Sequence, residues 1–327
     1  FGWCSDRAMR RSFVLVAYSA AKVQQFDQSY QREGIMATYG RKSTAENVTE
    51  GLDLSGKTAV VTGVNSGIGQ ETMRVLALRG AHVIGTARTL DKATQACTAV
   101  SGETTPLACE LTDKQSIRNC AAAIREMGNP IDLLIANAGI MMVPKLEQAD
   151  GIELQFATNH LGHFLLVNLL KDRVEAAEMG RIVVVSSSGH RQASAIAFDN
   201  LSGELGYSAI RAYGQSKLAN VLFVLELSKR LENGVTANAL HPGIIQTNLG
   251  RHINPFLKVL LAPFFFPFSK TVAQGAATQV YVATRPELEG VTGKYFSDCN
   301  EERPSTAALD DNAATRLWEV SVELVGL

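Results

Sequence analysis

The chain has 327 residues, of which 46% are hydrophobic and 19% are charged, and its formal net charge is -1. This apolar content is ample for a buried core and argues against a disordered chain, and the balanced charge argues against electrostatic binding to nucleic acid. The five cysteines are widely spaced and form no CxxC pair. This pattern argues against a disulfide framework or a zinc site and favours a reducing compartment, for which we expect the cytoplasm.

The N-terminal part of the chain carries no clear structural pattern. Residues 1–50 lack periodicity, and we interpret them as an extension that is flexible or in part foreign to the native chain. An apolar run at 13–21 follows two arginines and faintly resembles the core of a signal peptide, but it lacks a convincing cleavage site, and Met36 is an alternative start. No apolar run reaches the ~20 residues that span a bilayer.

Short apolar runs alternate with amphipathic stretches from residue 56 onward. Strands are predicted at 58–62, 81–87, 105–111, 131–136, 181–186, 236–240 and 293–296. Helices are predicted between them at 68–79, 114–127, 153–170 and 209–231. Continuous apolar strands that alternate with helices indicate a parallel sheet covered on both faces. We therefore predict a Rossmann-type, doubly wound α/β fold, a three-layer α/β/α sandwich that forms a single domain over residues 51–327.

A glycine-rich loop joins the first predicted strand to the first predicted helix. It reads TGVNSGIG at 62–69, with glycines at positions 63, 67 and 69. Glycines let the backbone turn tightly and approach a pyrophosphate, and the N-terminal N–H groups of the following helix point at that phosphate. The strand-to-helix context strengthens an otherwise weak motif and predicts a dinucleotide site.

The end of the second predicted strand indicates which dinucleotide is bound. A site that prefers NAD places an acid there to accept from the ribose 2′-hydroxyl, whereas this chain has Ala87 followed by Arg88. An arginine suits the 2′-phosphate of NADP(H). The alternative is a solvated surface arginine.

Tyr213 and Lys217 lie four residues apart in a predicted helix, so their side chains share one face. A lysine cation near a phenol favours the phenolate and lowers the phenol pKa from about 10. A tyrosine with such a pKa can serve as a general acid and base. The pair is common by chance, and its significance depends on the other motifs.

Six motifs together resemble the short-chain dehydrogenase/reductase family over about residues 40–327. They are the 62–69 loop, ANAG at 136–139, Asn159, the serines at 186–188, YGQSK at 213–217 and HPG at 241–243. The stretches 151–164, 211–222, 241–251 and 293–299 resemble the retinol-dehydrogenase-like branch, which includes WW-domain oxidoreductases, and 43–63 resembles plastid import-translocon-associated members. The resemblance implies a seven-stranded sheet in the order 3-2-1-4-5-6-7, with the ligand at the carboxyl ends of the strands.

The resemblance also implies catalytic roles. Tyr213 would be the acid/base, Lys217 would bind the nicotinamide ribose and lower the Tyr213 pKa, and Asn159 would hold a water that links Lys217 to a proton relay.

One serine of the 186–188 cluster would hydrogen-bond the substrate oxygen. We select Ser187, because it sits at the strand end before the pair His190 and Arg191. Ser186 and Ser188 remain alternatives.

The implied cofactor-binding set combines the glycine loop, the ends of later strands and the HPG region. Two positions depart from the family pattern: Ala136 replaces a usual asparagine, and Glu110 stands where an aspartate usually contacts adenine. The set is Gly63, Asn65, Ser66, Gly67, Ile68, Gly69, Arg88, Glu110, Leu111, Asn137, Ala138, Gly139, Tyr213, Lys217, Pro242, Gly243 and Thr247.

Two further features need an interpretation. His160 and His163 lie three apart on a predicted helix, but no third ligand follows at a suitable spacing, so we expect no metal. A phenylalanine-rich run lies within a predicted substrate lid at about 244–270, and the alternatives for it are membrane contact or plain core.

These features predict an NADP(H)-dependent oxidoreductase that transfers a hydride between nicotinamide and a carbonyl or alcohol of a lipophilic small molecule, such as a retinal-like aldehyde or a ketone. The alternative is an NADP-binding redox-sensing or scaffolding subunit with little turnover. The complete set of catalytic residues argues against that alternative. Peripheral membrane contact and a homo-oligomer remain open.

Overall fold

The central sheet has eight strands in the computed structural model, which describes residues 39–245 and 269–327. In chain order the strands are β1 (Thr58–Thr62), β2 (His82–Ala87), β3 (Thr104–Ala108), β4 (Leu133–Ala136), β5 (Gln148–Ala149), β6 (Ile152–Glu153), β7 (Arg181–Val185), β8 (Thr236–His241), β9 (Tyr295–Ser297) and β10 (Asn300–Glu301). The sheet order β3-β2-β1-β4-β7-β8-β9 is parallel and confirms the predicted topology. The short β10 adds an antiparallel edge, and β5 and β6 form a separate hairpin.

Both faces of this sheet are covered, which explains why its strands are continuously apolar. Every residue of β1 is buried. Side chains alternate between faces along a strand, so Val60 packs into one hydrophobic core while Ala59 and Val61 pack into the other.

Helices form the two outer layers of the sandwich. Their bounds are α1 (Ala45–Val48), α2 (Gly67–Leu78), α3 (Leu90–Thr98), α4 (Lys114–Glu126), α5 (Leu154–Phe156), α6 (Gly162–Glu175), α7 (Ala209–Leu227), α8 (Val272–Thr284) and α9 (Asp311–Val325). Helices α4, α6, α7 and α9 contribute to one core, and α1, α2, α3 and α8 contribute to the other. The three-layer α/β/α arrangement is therefore confirmed.

The folded unit begins earlier than the sequence indicated. Residues from Tyr39 onward belong to it, so positions 39–50 are part of the domain rather than of an extension. Ala45 and Val48 of α1 are fully buried, and Thr44 caps this helix by accepting from the backbone N–H of Asn47. A helix of one turn is too short to show a period, which is why the sequence did not reveal it. Residues 1–38 lie outside the described part of the chain.

The predicted lid lies mostly outside the described residues, and so does Thr247. Its two ends are described and meet, because the Lys270 N–H donates to the Ile244 carbonyl at 2.7 Å. Within 39–245 and 269–327, no helix is both long and apolar enough to span a membrane.

Candidate active site

The predicted site residues converge on the carboxyl ends of the parallel strands. The glycine loop follows β1, ANAG ends β4, the serine cluster follows β7 and HPG ends β8. Because these strands are neighbours in the sheet, their carboxyl ends meet at one edge, where ligands bind in open α/β sheets.

The glycine loop fits a dinucleotide. Gly63 and Gly67 have φ values of 75° and 61°, a region that favours glycine. A Cβ on Gly69 would overlap the Gly63 carbonyl oxygen and the Asn137 side chain, so the turn closes only without one. Ser66 precedes α2 without a side-chain cap, which leaves the first N–H groups of the helix available to a phosphate.

Asn137 braces this loop from β4. Its Nδ2 donates to the Thr62 carbonyl at 2.6 Å, and the backbone N–H groups of Asn137 and Ala138 both donate to Thr62 Oγ1 at 2.9 Å. The Asn137 Oδ1 is buried and has no hydrogen-bond partner among the described residues. A buried unpaired acceptor is costly, so this atom favours a polar ligand beside the loop.

The predicted cofactor-binding residues after β2 and β3 differ in their exposure and hydrogen bonding. Arg88 follows β2 directly, is exposed, and its guanidinium makes no hydrogen bond or ion pair with the described chain. Glu110 accepts from the Thr112 hydroxyl at 3.0 Å, which engages the carboxylate locally. The Leu111 side chain is buried in the core beside α4.

Ser187 and Tyr213 lie close together because Gly189, which lies between them, has no side chain. A Cβ on Gly189 would lie 2.9 Å from Cε1 of Tyr213 and 3.3 Å from Oγ of Ser187. The Gly189 N–H also donates to Ser187 Oγ at 3.0 Å, which orients the hydroxyl. Gly214 of α7 allows the same close approach, since a Cβ there would lie 3.0 Å from the Gly189 carbonyl oxygen. Neither glycine was given a role from the sequence.

The other two serines of the cluster have different surroundings. Ser186 is buried and donates to the Lys217 carbonyl at 2.7 Å, so it ties β7 to α7. Ser188 begins a short 3-10 turn, Ser188–Gln192. Ser187, the serine selected from the sequence, is therefore the one placed beside the phenol, and its catalytic role stays a prediction.

The electrostatics of the pair differ from the expectation. Burial raises the Tyr213 pKa above its ordinary value, and the hydrogen bond from Ser187 offsets this only in part. Lys217 is buried, which lowers its own pKa to about 7, and its Nζ donates to the Val185 carbonyl at 2.9 Å. Desolvation disfavours both charged forms, so Lys217 does not lower the phenol pKa in this structure.

Asn159 lies in a π-helical turn, Ala157–Leu161, that interrupts the predicted 153–170 helix between α5 and α6. Its Nδ2 donates to the Ile140 carbonyl at 3.0 Å and to Ser216 Oγ at 2.9 Å, and its Oδ1 accepts from the Ile140 N–H at 2.8 Å. Ser216 in turn donates to the Tyr213 carbonyl at 2.8 Å. Asn159 thus connects the segment after β4 to α7, and its role in holding a relay water stays a prediction.

His160 on this turn and His163 in the first turn of α6 are buried and neutral. His163 accepts from Thr62 Oγ1 at 2.9 Å and donates through Nδ1 to the Asn159 carbonyl at 3.1 Å, and burial lowers its pKa to about 4. His160 pairs with Ser321 of α9 and lies among phenylalanine rings. The described residues contain no group of three or more side chains placed to hold a metal.

An ion pair that the sequence did not reveal lies against the HPG region, with its lysine buried and its aspartate partly exposed. Gly243 has a φ of 97°, and a Cβ there would lie 2.7 Å from Lys270 Cδ. Lys270 is 5% exposed and pairs with Asp298. The partners lie 28 positions apart, at the end of the predicted lid and in the 293–299 stretch, so no local spacing joins them. Pro242, which precedes Gly243, is buried.

Comparisons with known proteins agree with this geometry. The family model for short chain dehydrogenase matches residues 57–258. The chain is 44% identical to the Short-chain dehydrogenase TIC 32 B, chloroplastic, of Brassica napus over 88% of this chain and 94% of that protein. It is 42% identical to human Retinol dehydrogenase 14 over 84% and 88% of the two chains. The Pseudomonas aeruginosa RhlG/NADP active-site complex superposes with a TM-score of 0.60 at 25% identity, over 75% and 95% of the chains. The chain therefore belongs to the short-chain dehydrogenase family, whose members are oxidoreductases that bind a nicotinamide cofactor.

Proposed function

We propose that this protein is an NADP(H)-dependent oxidoreductase that interconverts a carbonyl and an alcohol on a lipophilic small molecule, such as a retinal-like aldehyde or a ketone. The observation that carries the proposal is the approach of Ser187 and Tyr213 across Gly189, at the sheet edge that also holds the glycine loop. A hydroxyl and a phenol that point at one place can bind and protonate one oxygen atom.

The protonation states favour reduction. A phenol whose pKa is raised by burial is protonated at neutral pH, which is the form that donates a proton to the developing alkoxide. Ser187 donates a hydrogen bond to the same oxygen and polarises the carbonyl. Bound nicotinamide supplies the hydride. Lys217, with a pKa of about 7, holds a proton near neutrality that can restore the phenol.

The preference for NADP(H) rests on Arg88. Its guanidinium is exposed beyond β2 and is not engaged by the described chain, and Ala87 offers no carboxylate to a ribose hydroxyl. An arginine that the described residues leave unpaired is suited to pairing with a 2′-phosphate. The similar RhlG structure is an NADP complex, which supports the same choice.

The lipophilic substrate rests on the relatives and on the edge of the site. One similar protein is a retinol dehydrogenase. Ile244, which follows Gly243, is 39% exposed, and Met141 and Met142, which follow ANAG, are half-buried. Apolar side chains at a site mouth contribute about 1.5–3 kcal/mol each when a ligand covers them fully.

The test is a series of aldehydes of increasing hydrophobicity with purified protein and NADPH. We expect kcat/KM to rise along the series, with polyene or long-chain aldehydes above short ones. Equal kcat/KM across the series would refute the substrate class. Tight NADPH binding without turnover of any carbonyl would refute the enzymatic proposal and favour the sensing or scaffolding alternative.

The compartment and the partners are further parts of the proposal. The cysteines of the described chain, at 97, 109, 120 and 299, are free and buried, which suits a reducing compartment. The cytoplasm stays our prediction for it, although one similar protein is chloroplastic. Peripheral membrane contact and a homo-oligomer also stay predictions, with liposome co-sedimentation and light scattering as their measurements.

A further inference from the structure

His190 connects the active-site turn to a distant segment of the chain. It is completely buried. Its Nδ1 lies 2.7 Å from the Ser187 carbonyl oxygen, and the Ser305 backbone N–H donates to its Nε2 at 3.0 Å. The ring also packs edge-on against Tyr295 of β9, with 5.0 Å between centroids. The serine of the proposed site and a loop 115 positions beyond His190 are thus bonded to one imidazole.

The two hydrogen bonds specify one tautomer. A carbonyl oxygen only accepts, so Nδ1 carries the proton that is donated to Ser187. The Ser305 N–H only donates, so Nε2 must present its lone pair. Burial lowers the His190 pKa to about 4, which keeps this neutral form at physiological pH. Each ring nitrogen therefore has a separate partner that a substitution can remove by itself.

We propose that His190 is a positioning residue that sets the orientation of Ser187 relative to Tyr213. The inference rests on the proposed function, because it assigns His190 a role through the catalytic serine. Ser187 is hydrogen-bonded on both sides: its hydroxyl accepts from the Gly189 N–H, and its carbonyl accepts from Nδ1 of His190 and, at 3.0 Å, from the His190 backbone N–H. The backbone bond is common to every His190 variant, so only the side-chain bond changes between them. Gly189 in turn packs against the Tyr213 ring. Rotation of the carbonyl would move the hydroxyl away from the phenol.

Arg191 provides a matched control from the same turn. Its guanidinium donates to Glu302 at 2.6 Å and to the Arg303 carbonyl at 2.8 Å, so it reaches the same distant segment without contacting Ser187. The side chains of Arg191 and Glu302 are 28% and 35% exposed, and ion pairs of this kind contribute little to stability. If a link between the two segments were all that mattered, both residues would affect activity alike.

The experiment separates the two ring nitrogens. In His190→Asn, the side-chain amide nitrogen takes the place of Nδ1 and keeps the bond to Ser187. In His190→Gln, the amide reaches the place of Nε2 and keeps the bond to Ser305 instead. We expect kcat to fall about 10- to 100-fold in His190→Gln, since a misplacement of about 1 Å can cost about 10²-fold, and less than about 3-fold in His190→Asn. The Kd for NADPH should not change in either, Tm should fall alike in both, and Arg191→Ala should keep wild-type kcat.

A further variant serves if both His190 variants fold poorly. Ser305→Pro removes the N–H donor while His190 stays, and the Ser305 φ of -65° suits proline. Because this variant, like His190→Asn, leaves the Nδ1 bond to Ser187 in place, we expect a kcat loss of less than about 3-fold with unchanged NADPH affinity. A loss of about 10-fold or more in the folded variant would show that the bond to Ser305 controls activity and would overturn the inference.

Ser187→Ala, measured in parallel, distinguishes the two levels of the argument. If Ser187→Ala keeps wild-type kcat, the proposed function of this site is wrong. If Ser187→Ala loses activity and His190→Gln keeps it, only the positioning role is overturned. The same holds if Ser187→Ala loses activity and both His190 variants lose activity to the same extent.

Discussion

Adding one methyl group at Gly189 tests whether the contact between Ser187 and Tyr213 controls the reaction. In Gly189→Ala the new Cβ would lie 2.9 Å from Cε1 and 3.2 Å from Cδ1 of the Tyr213 ring. Carbon atoms in contact prefer about 3.5–4.0 Å, so the ring and the turn must separate by roughly 0.6–1.1 Å. The ring cannot retreat freely, because Gly214 already packs against the Gly189 carbonyl.

The expected cost falls on the chemical step. A displacement of about 1 Å at reacting groups can lower a rate about 10²-fold, and overpacking of this kind destabilises a fold by about 1–3 kcal/mol. We therefore expect single-turnover oxidation of bound NADPH by an aldehyde to slow about 10- to 100-fold, with a moderate fall in Tm. NADPH affinity should be retained, because the glycine loop is not touched.

Stopped-flow absorbance of NADPH measures that rate, and fluorescence titration measures the affinity. Gly40→Ala is the matched control, since a Cβ at that glycine meets nothing within 4 Å and its φ is unstrained. A wild-type single-turnover rate in a folded Gly189→Ala protein would refute the argument that this contact sets the reaction geometry.

The remaining predictions address the acid, the cofactor, the pH dependence and the N-terminus. Tyr213→Phe should lower kcat by about 10²–10⁴-fold while NADPH binding survives, and a near-wild-type single-turnover rate would assign the proton to another residue. Arg88→Ala should weaken NADPH by about 1.5–3 kcal/mol with little change for NADH, whereas equal wild-type affinity for both cofactors would contradict the assignment. Between pH 7 and the ordinary lysine pKa of 10.5, the unfolded chain binds more protons at Lys217 than the folded chain does, so this group makes the free energy of unfolding rise with pH. Denaturant titrations of Lys217→Met should show a weaker rise, and an unchanged dependence of the free energy of unfolding on pH would argue against the lowered pKa. A chain that starts at Met36 should keep its Tm and activity, because the folded unit begins at Tyr39; loss of folded protein would show that the removed residues are structural.

Local rules in the sequence determined much of this protein. Apolar strands, the glycine loop and the shared helix face of Tyr213 and Lys217 each depend on residues within a few positions of one another. These short-range patterns predicted the main strands and the dinucleotide motif, whereas the sheet order and the edge of the sheet where the site lies were implied by the family resemblance. Helices α3, α8 and α9 were not predicted, and α8 in particular is largely apolar and buried, so it shows little amphipathic period.

Only the tertiary structure decided which side chains meet at the site. Gly189 separates Ser187 from Tyr213 across two elements, and His190 joins Ser187 to Ser305, contacts that no local spacing encodes. The Tyr213 pKa also depended on the fold, because the spacing to lysine suggested a lowered value while burial raised it. Desolvation is set by every segment packed around a group, so a sequence pattern that names only one neighbour cannot give even its sign.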